Sequence, residues 1–340
     1  MATIKDIANK TGYSIGTVSR VINNHPDVSE KARKIIQTVI DEENFRPNSN
    51  AKLLKQTIPS SIIIYVKGTH NIFLEGLLEK IQKALRDHGE SAGVVFLDES
   101  ADEVKTAIRE EAEKHPKGLI FLGGSADNFR KHFASVHAPS VLVTGNASDM
   151  HYDNLSSFST DDYDGSAAAA ELLIRFGHQK IGVLGGHLSV EKGKITSPRL
   201  KGFADTLAEH NIPFNARRQF TASRFSMEDG YESMKKLLKK FPGITAVFAH
   251  SDMIAVGAMR AIHDAGKRIP EDISLIGYDG IEYSDYTVPR IATIRQDTDT
   301  LSRRSVEDLL MRISYSTPPV HETVQFEVLE KESVSSAGTK

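Results

Sequence analysis

Cysteine and tryptophan are both absent from the 340 residues. Without cysteine there is no disulfide framework, no thiolate nucleophile and no Cys-containing zinc or iron–sulfur site, and a reducing compartment is the easiest home. No apolar run approaches the roughly 18 residues of a membrane span. The start, MATIKDIANK, is polar and lacks the apolar stretch of a secretory signal, so the expected location is cytoplasmic, with no membrane partner. Enzyme signatures are scarce as well. The 13 histidines include no H-E-x-x-H, and neither G-x-x-x-x-G-K-[ST] nor G-x-G-x-x-G occurs around the Gly123-Gly124 and Gly185-Gly186 pairs, so no metal-protease or nucleotide-phosphate chemistry has support. TDDYDGSAAAAE places Asp162, Asp164, Gly165 and Glu171 in the register of a calcium loop. Thr160 stands where the first aspartate belongs, however, and four alanines favour a helix, so strand, turn and helix is the better reading.

What is present divides unevenly. The net charge of −3 splits into +3 over residues 1–58 and −6 over the remainder, a small basic module ahead of a larger acidic body. In the basic module Ile4, Ile7 and Ala8 share one helical face. Gly12 interrupts, and Ser14 can cap a second helix carrying Ile15, Val18, Val21 and Ile22. A third segment opens at Ser29 and runs through Ala32, Ile35, Ile36, Val39 and Ile40. Three short helices around one small core are a helix-turn-helix, whose second helix enters the major groove of DNA.

TIKDIANKTGYSIGTVSRVIN, VSEKAR and FRPNSNAKLL together resemble the DNA-binding headpiece and hinge of the lac repressor/purine repressor (LacI/GalR) family, almost without gaps over residues 3–55. The resemblance implies base contacts from Ile15, Gly16 and Arg20, with Thr3, Ser14, Thr17, Ser19, Asn23 and Ser29 holding phosphates or capping helices. Capping alone would account for Thr3 and Ser14, and Ile15 could equally belong to the core. Arg20 is the candidate for bidentate guanine recognition, and Lys5 for a phosphate contact. The hinge, from Pro47, is too short for a free helix and should form only on DNA with a partner chain. Asn48, Ala51 and Lys55 belong to its DNA face, and Leu54 falls where the family inserts a minor-groove wedge; Leu53 and Leu54 as a linker patch are the plainer alternative.

Beyond residue 60, SIIIYV, SAGVVFL, GLIFLG, SVLVTG, SFST, KIGVLGG, ITAVFAH and ISLIGYD alternate with helical stretches. Short apolar runs joined through helices predict an α/β fold of two doubly wound, parallel-sheet subdomains. Ligands bind such sheets at the carboxyl ends of the strands, where Asn71, Phe73, Ser125, Asn146, Asp161, Asp162, Asp164, Arg199, Ser251, Asp252 and Asp279 follow the runs. FGHQKIGVLGG, SPRLKGF, AHSDMIAVGAMRAI, PEDISLIGYDG and VPRIATIRQD resemble the same family's effector core, which is related to periplasmic sugar-binding proteins. That resemblance implies effector contacts from Asp164, Arg199, Phe225, Ser251 and Asp279, with Asp161, Asp252 and Gln296 in supporting places. Ser251, Gly280 and Lys331 depart from its usual Asn, Asp and Arg, which bears on the effector's identity.

The expected organisation is a headpiece over residues 1–46, hinge and linker over 47–59, a core over 60–333 and a tail over 334–340. Within the core, one subdomain is expected over about 60–156 and 290–320 and the other over about 157–289 and 321–333. The expected function is a homodimeric transcription regulator, a repressor on a pseudo-palindromic operator, switched by a small molecule and using no cofactor. A sugar suits the polar set better than a purine. An exported solute-binding protein and an enzyme are the alternatives; the basic module argues against the first and the missing motifs against the second.

Overall fold

The computed structural model describes residues 4–22, 28–42, 61–69, 71–186, 190–191, 194–195 and 197–338. The chain separates into two units, residues 1–59 and 60–340. In the first, α1 (Ile4–Thr11), α2 (Ile15–Ile22) and α3 (Glu30–Glu42) close around Ile7, Ala8, Val18, Val21, Ile36 and Ile40. Gly12 ends α1 in the left-handed conformation at φ 73°, where it has no Cβ to clash. The Ser14 Oγ accepts the Thr17 N–H at 3.1 Å and the Ser29 Oγ that of Ala32 at 3.3 Å, so both serines cap helices.

In the second unit the chain runs β1 (Ile62–Lys67), α4 (Ile72–Asp87), β2 (Ala92–Leu97), α5 (Glu103–Lys114), β3 (Gly118–Leu122), α6 (Ala126–His132), β4 (Ser140–Val143) and β5 (Leu155–Thr160). It continues through α7 (Asp162–Arg175), β6 (Ile181–Gly185), the short pair β7 (Val190–Glu191) and β8 (Lys194–Ile195), α8 (Pro198–Glu209), α9 (Ala216–Gln219), β9 (Phe220–Ala222), α10 (Met227–Lys240), β10 (Ala246–Ala249) and α11 (Asp252–Asp264). The last part is β11 (Ser274–Asp279), α12 (Tyr283–Tyr286), β12 (Ala292–Gln296), α13 (Thr298–Tyr315), β13 (His321–Val324) and β14 (Phe326–Leu329).

Two six-stranded sheets result, ordered β13-β5-β4-β3-β1-β2 and β14-β12-β11-β10-β6-β9. Every pairing in them is parallel except β12 with β14. Alternation explains why each sheet needs helices on both faces. On β1, Ile62, Ile64 and Val66 turn toward α4 and α13, while Ile63 and Tyr65 join Phe121, Phe129 and Phe133 on the other face. The second sheet is likewise split between a layer under α7 and α8 and one under α10 and α11.

The subdomain limits differ from those expected. β12 pairs with β11, so residues 292–296 belong to the second sheet, and β13 pairs with β5, so 321–324 belong to the first. SFST, expected to open the second subdomain, is inside β5 of the first. The chain therefore crosses three times, near 161, 297 and 325. The tail is shorter than expected too: Val334 is buried in the second core and the Ala337 N–H donates to the Phe176 carbonyl. Ser333 ties this segment to the sheet through the Leu275 carbonyl and the Ala292 N–H.

Candidate functional site

At the carboxyl ends of the strands the two sheets flank an open cavity of about 350 Å³. Lys67, Asn71, Phe73, Glu99, Ser125 and Thr144 line it from the first subdomain; Asp162, Arg199, Phe225, His250 and Asp279 line it from the second. Two larger crevices adjoin it. One, of about 960 Å³, shares Ser125, Thr144, Asp162 and Ser197 with it, and the other, of about 780 Å³, shares Phe73 and Asp279.

Arg199 organises the second wall from the first turn of α8. Its Nε donates to Asp162 Oδ1 at 2.9 Å and its Nη1 to the His250 carbonyl at 2.5 Å, with Asp279 Oδ1 at 3.7 Å. The guanidinium lies 3.7 Å from the centroid of the Tyr278 ring, whose hydroxyl donates to the same Asp162 oxygen. Burial works against the Arg199 charge, but Asp162, Tyr278 and Asp279 outweigh it and hold the proton more firmly than usual. Asp279 accepts from Gln296 Nε2 at 2.8 Å, and Gln296 Oε1 accepts the Thr160 hydroxyl, which ties the wall to two of the chain crossings. Burial pushes the Asp279 carboxyl up to about 7 against the pull of Arg199. His250 is driven down to about 3 by burial and the nearby guanidinium, so its ring is neutral.

The first wall rests on Glu103, which is almost fully buried. Lys67 Nζ donates to Glu103 Oε2 at 2.5 Å, and Asn128 Nδ2 to the same oxygen at 2.9 Å, while Oε1 accepts the Ser125 N–H at 2.6 Å. At the rim Arg224, next to Phe225, reaches across to Asp98 at 3.1 Å and Glu99 at 3.3 Å.

Of the expected effector residues, Asn71, Phe73, Ser125, Arg199, Phe225 and Asp279 come together here. Asn71 also caps α4 through the Leu74 N–H. Asn146 and Asp161 line the 960 Å³ crevice instead: Asn146 accepts the Ser148 N–H, and Asp161 caps α7. Two others of the expected residues are not brought into this cavity. Asp164 is exposed on α7 and lines none of these cavities, because two residues of helix turn it away from Asp162. Ser251 is buried, and its Oγ is taken by the Ile254 N–H at the start of α11. Sequence reasoning placed Asp162 at a strand end without giving it an effector contact, and passed over Thr144 and His250. Thr144, two positions before Asn146 at the end of SVLVTG, has φ 71°, an unfavourable conformation for a β-branched residue; Asp279, also left-handed at φ 109°, mirrors it from the other sheet. TDDYDGSAAAAE forms a strand end and the start of α7, and among the described residues no acids or histidines cluster to hold a metal.

On the first unit, Arg20 is exposed near the end of α2, Ser14 bonds Thr17, and Ser29 is exposed at its cap. Lys5, Ile15, Gly16 and Ser19 are placed only as backbone positions on α1 and α2. Thr3, Asn23, Asn48, Ala51, Leu54 and Lys55 lie outside the described residues.

A three-helix unit of this kind, followed by paired doubly wound sheets with a polar cavity between them, defines a ligand-responsive DNA-binding regulator. Residues 3–48 match the family described as bacterial regulatory proteins, lacI family, and residues 170–334 match a periplasmic binding protein-like domain. The chain is similar to the HTH-type transcriptional regulator MalR of Clostridium butyricum, 33% identical over 97% of this chain and 98% of that one. The ribose operon repressor of Haemophilus influenzae is 31% identical over 92% of each. Among solved structures, the lac repressor dimer bound to operator and the anti-inducer ONPF superposes with a TM-score of 0.68 at 26% identity, covering 98% of this chain and 99% of that one. The chain belongs to the lacI family of bacterial regulatory proteins and is a transcription regulator. No helix among the described residues is long and apolar enough to cross a membrane.

Proposed function

We propose that the protein is a homodimeric repressor that binds a pseudo-palindromic operator and changes its affinity for it when a sugar occupies the cavity between the subdomains. The observation that carries the effector reading is the cavity itself. Asp162, Arg199, Asp279, Asn71 and Ser125 supply acceptors and donors for several hydroxyls, with Phe73 and Phe225 from opposite subdomains as apolar walls for a ring. A relative that is a ribose operon repressor supports the sugar class. The dimer reading is supported by the lac repressor dimer. Two headpieces on a dimer read two half-sites, which one unit of net charge +3 cannot do with comparable affinity. No catalytic group is assigned.

The test is calorimetry of the full chain against mono- and disaccharides and purine bases, paired with operator binding by gel shift. A sugar that binds and shifts operator affinity supports the proposal; tight binding of a purine with no sugar heat overturns it. Operator affinity should also fall steeply with salt as phosphates are contacted, and a flat response would refute the DNA half.

A further inference from the structure

The chemistry of the cavity walls narrows the effector further. Every cation described on them is already held by a carboxylate of this chain. Lys67 is bonded to Glu103, Arg199 lies between Asp162 and Asp279, and Arg224 at the rim is shared by Asp98 and Glu99. Three cations thus face five carboxylates. A ligand carboxylate or phosphate needs cationic or N–H donors that are not already occupied.

Helix N-termini are the other usual source of such donors, since their free N–H groups and dipole favour anions. Here most of those at the cavity are filled by this chain's own groups, and α8, whose Ser197 and Pro198 line it, opens with a proline that has no N–H. Asp161 takes the Tyr163 and Asp164 N–H groups at the start of α7, with Asp162 beside it. At the start of α11 the Ser251 Oγ takes the Ile254 N–H, and Glu103 takes the Ser125 N–H ahead of α6. An anionic group entering the cavity would meet filled donors and like charge, whereas sugar hydroxyls can donate to Asp162 and Asp279 and accept from Asn71 or Ser125.

We infer that the effector carries no carboxylate or phosphate: the cavity takes a neutral saccharide and rejects the corresponding uronic acids and sugar phosphates. This rests on the carbohydrate reading above and goes beyond it by fixing the charge of the ligand and naming the carboxylates that set it.

The experiment is a thermal-shift screen, followed by calorimetry, of the full-length protein against neutral pentoses, hexoses and disaccharides, each beside its uronate and its phosphate, with purine bases included. A neutral sugar binding about 100-fold or more tighter than its acidic partners is expected, the scale set by placing like charge in a partly desolvated site. An acidic or phosphorylated sugar that binds as tightly as its neutral parent, or tighter, overturns the inference while leaving the carbohydrate reading intact. A purine hit with no sugar hit, or no hit at all, overturns the carbohydrate reading itself. Asp162→Asn gives a second readout, because it removes one negative charge from the wall while leaving an amide oxygen to accept from Arg199 Nε. The uronate-to-neutral affinity ratio should rise about tenfold or more in that variant. An unchanged ratio in a variant whose melting confirms folding overturns the argument.

Discussion

Asp252 is the most consequential single residue for stability against pH. It is fully buried, and its oxygens accept from the Thr293 hydroxyl at 2.7 Å and the Ile281 N–H at 2.8 Å, with no cation among its described contacts. Burial, and then the neighbouring Asp279, push its carboxyl up to about 8. An unfolded aspartate titrates near 3.9, so between about pH 4 and 8 the native state holds a proton that the unfolded chain has released, and stability falls as pH rises through that window. His250, driven down to about 3, acts in the opposite sense, but its contribution is complete once pH exceeds the unfolded histidine value of about 6.5. Above pH 6.5 the slope should therefore come from the raised carboxyls alone, Asp279 up to about 7 and Asp252 up to about 8. The melting temperature of the protein should drop as pH rises across that range, by at most about 1.4 kcal/mol per pH unit in stability from each carboxyl, and Asp252→Asn should flatten the slope. An equal slope in protein and variant would mean that Asp252 is ionised throughout. Arg199 shows where residue-level reading of the sequence stops. The sequence identified Arg199 and Asp279 as effector contacts, and the structure also pairs Arg199 with Asp279 and with Asp162, a contact between α7 and α8 that no spacing along the chain announces. Arg199→Ala should accordingly cost stability as well as effector binding, about 3–5 kcal/mol by chemical denaturation, because it strands buried carboxylates. A variant as stable as the parent would contradict that.

At the scale of elements, the two central helix pairs touch backbone to backbone through glycines. A Cβ on Gly202 of α8 would meet the Tyr163 carbonyl of α7 at 2.1 Å, and one on Gly257 of α11 the Met227 carbonyl of α10 at 1.9 Å. Both neighbours are main chain and cannot swing aside. Gly257→Ala should therefore destabilise by about 1–3 kcal/mol although alanine is the better helix former, the clash outweighing a propensity gain of about 1 kcal/mol. A stabilised variant would show that the helices separate at little cost. The runs GSAAAAELLIRFG and MIAVGAMRAI read correctly as helices from period and composition, but which glycine faces which carbonyl depends on crossing geometry that a single sequence does not encode. The strands tell a similar story. The fully apolar runs were legible because both of their faces are covered. β13 and β14 were not, because HETV and FEVL are half-exposed edge strands separated by one residue and read as one segment. In the first unit α2 carries Arg20 on its exposed side, and Arg20→Ala should cost about 1–3 kcal/mol per half-site and relax preference at one base pair. Loss that is uniform over operator variants would place Arg20 on phosphate instead.

Across the whole molecule, the subdomains are joined at the rim of the cavity by Arg224 with Asp98 and Glu99, all partly exposed. Such pairs contribute at most about 1 kcal/mol, so Arg224→Ala should weaken effector affinity by no more than about fivefold, and 1 M salt should erase the difference. A larger or salt-independent loss would mean that Arg224 contacts effector directly. The three chain crossings have a further consequence, for the order in which the protein is made. The first sheet has five of its strands by residue 160 but is closed only by β13, at 321–324, and the second waits for β14, at 326–329. A chain emerging from the ribosome must therefore hold the first sheet one strand short while nearly half its length is still to be synthesised. The edge it leaves open during that wait is β5, LSSFST, the most hydroxyl-rich of that sheet's long strands and a poor template for pairing with a stranger. Both sheets then close within a few residues of each other, so a chain cut short before 321 leaves two open edges.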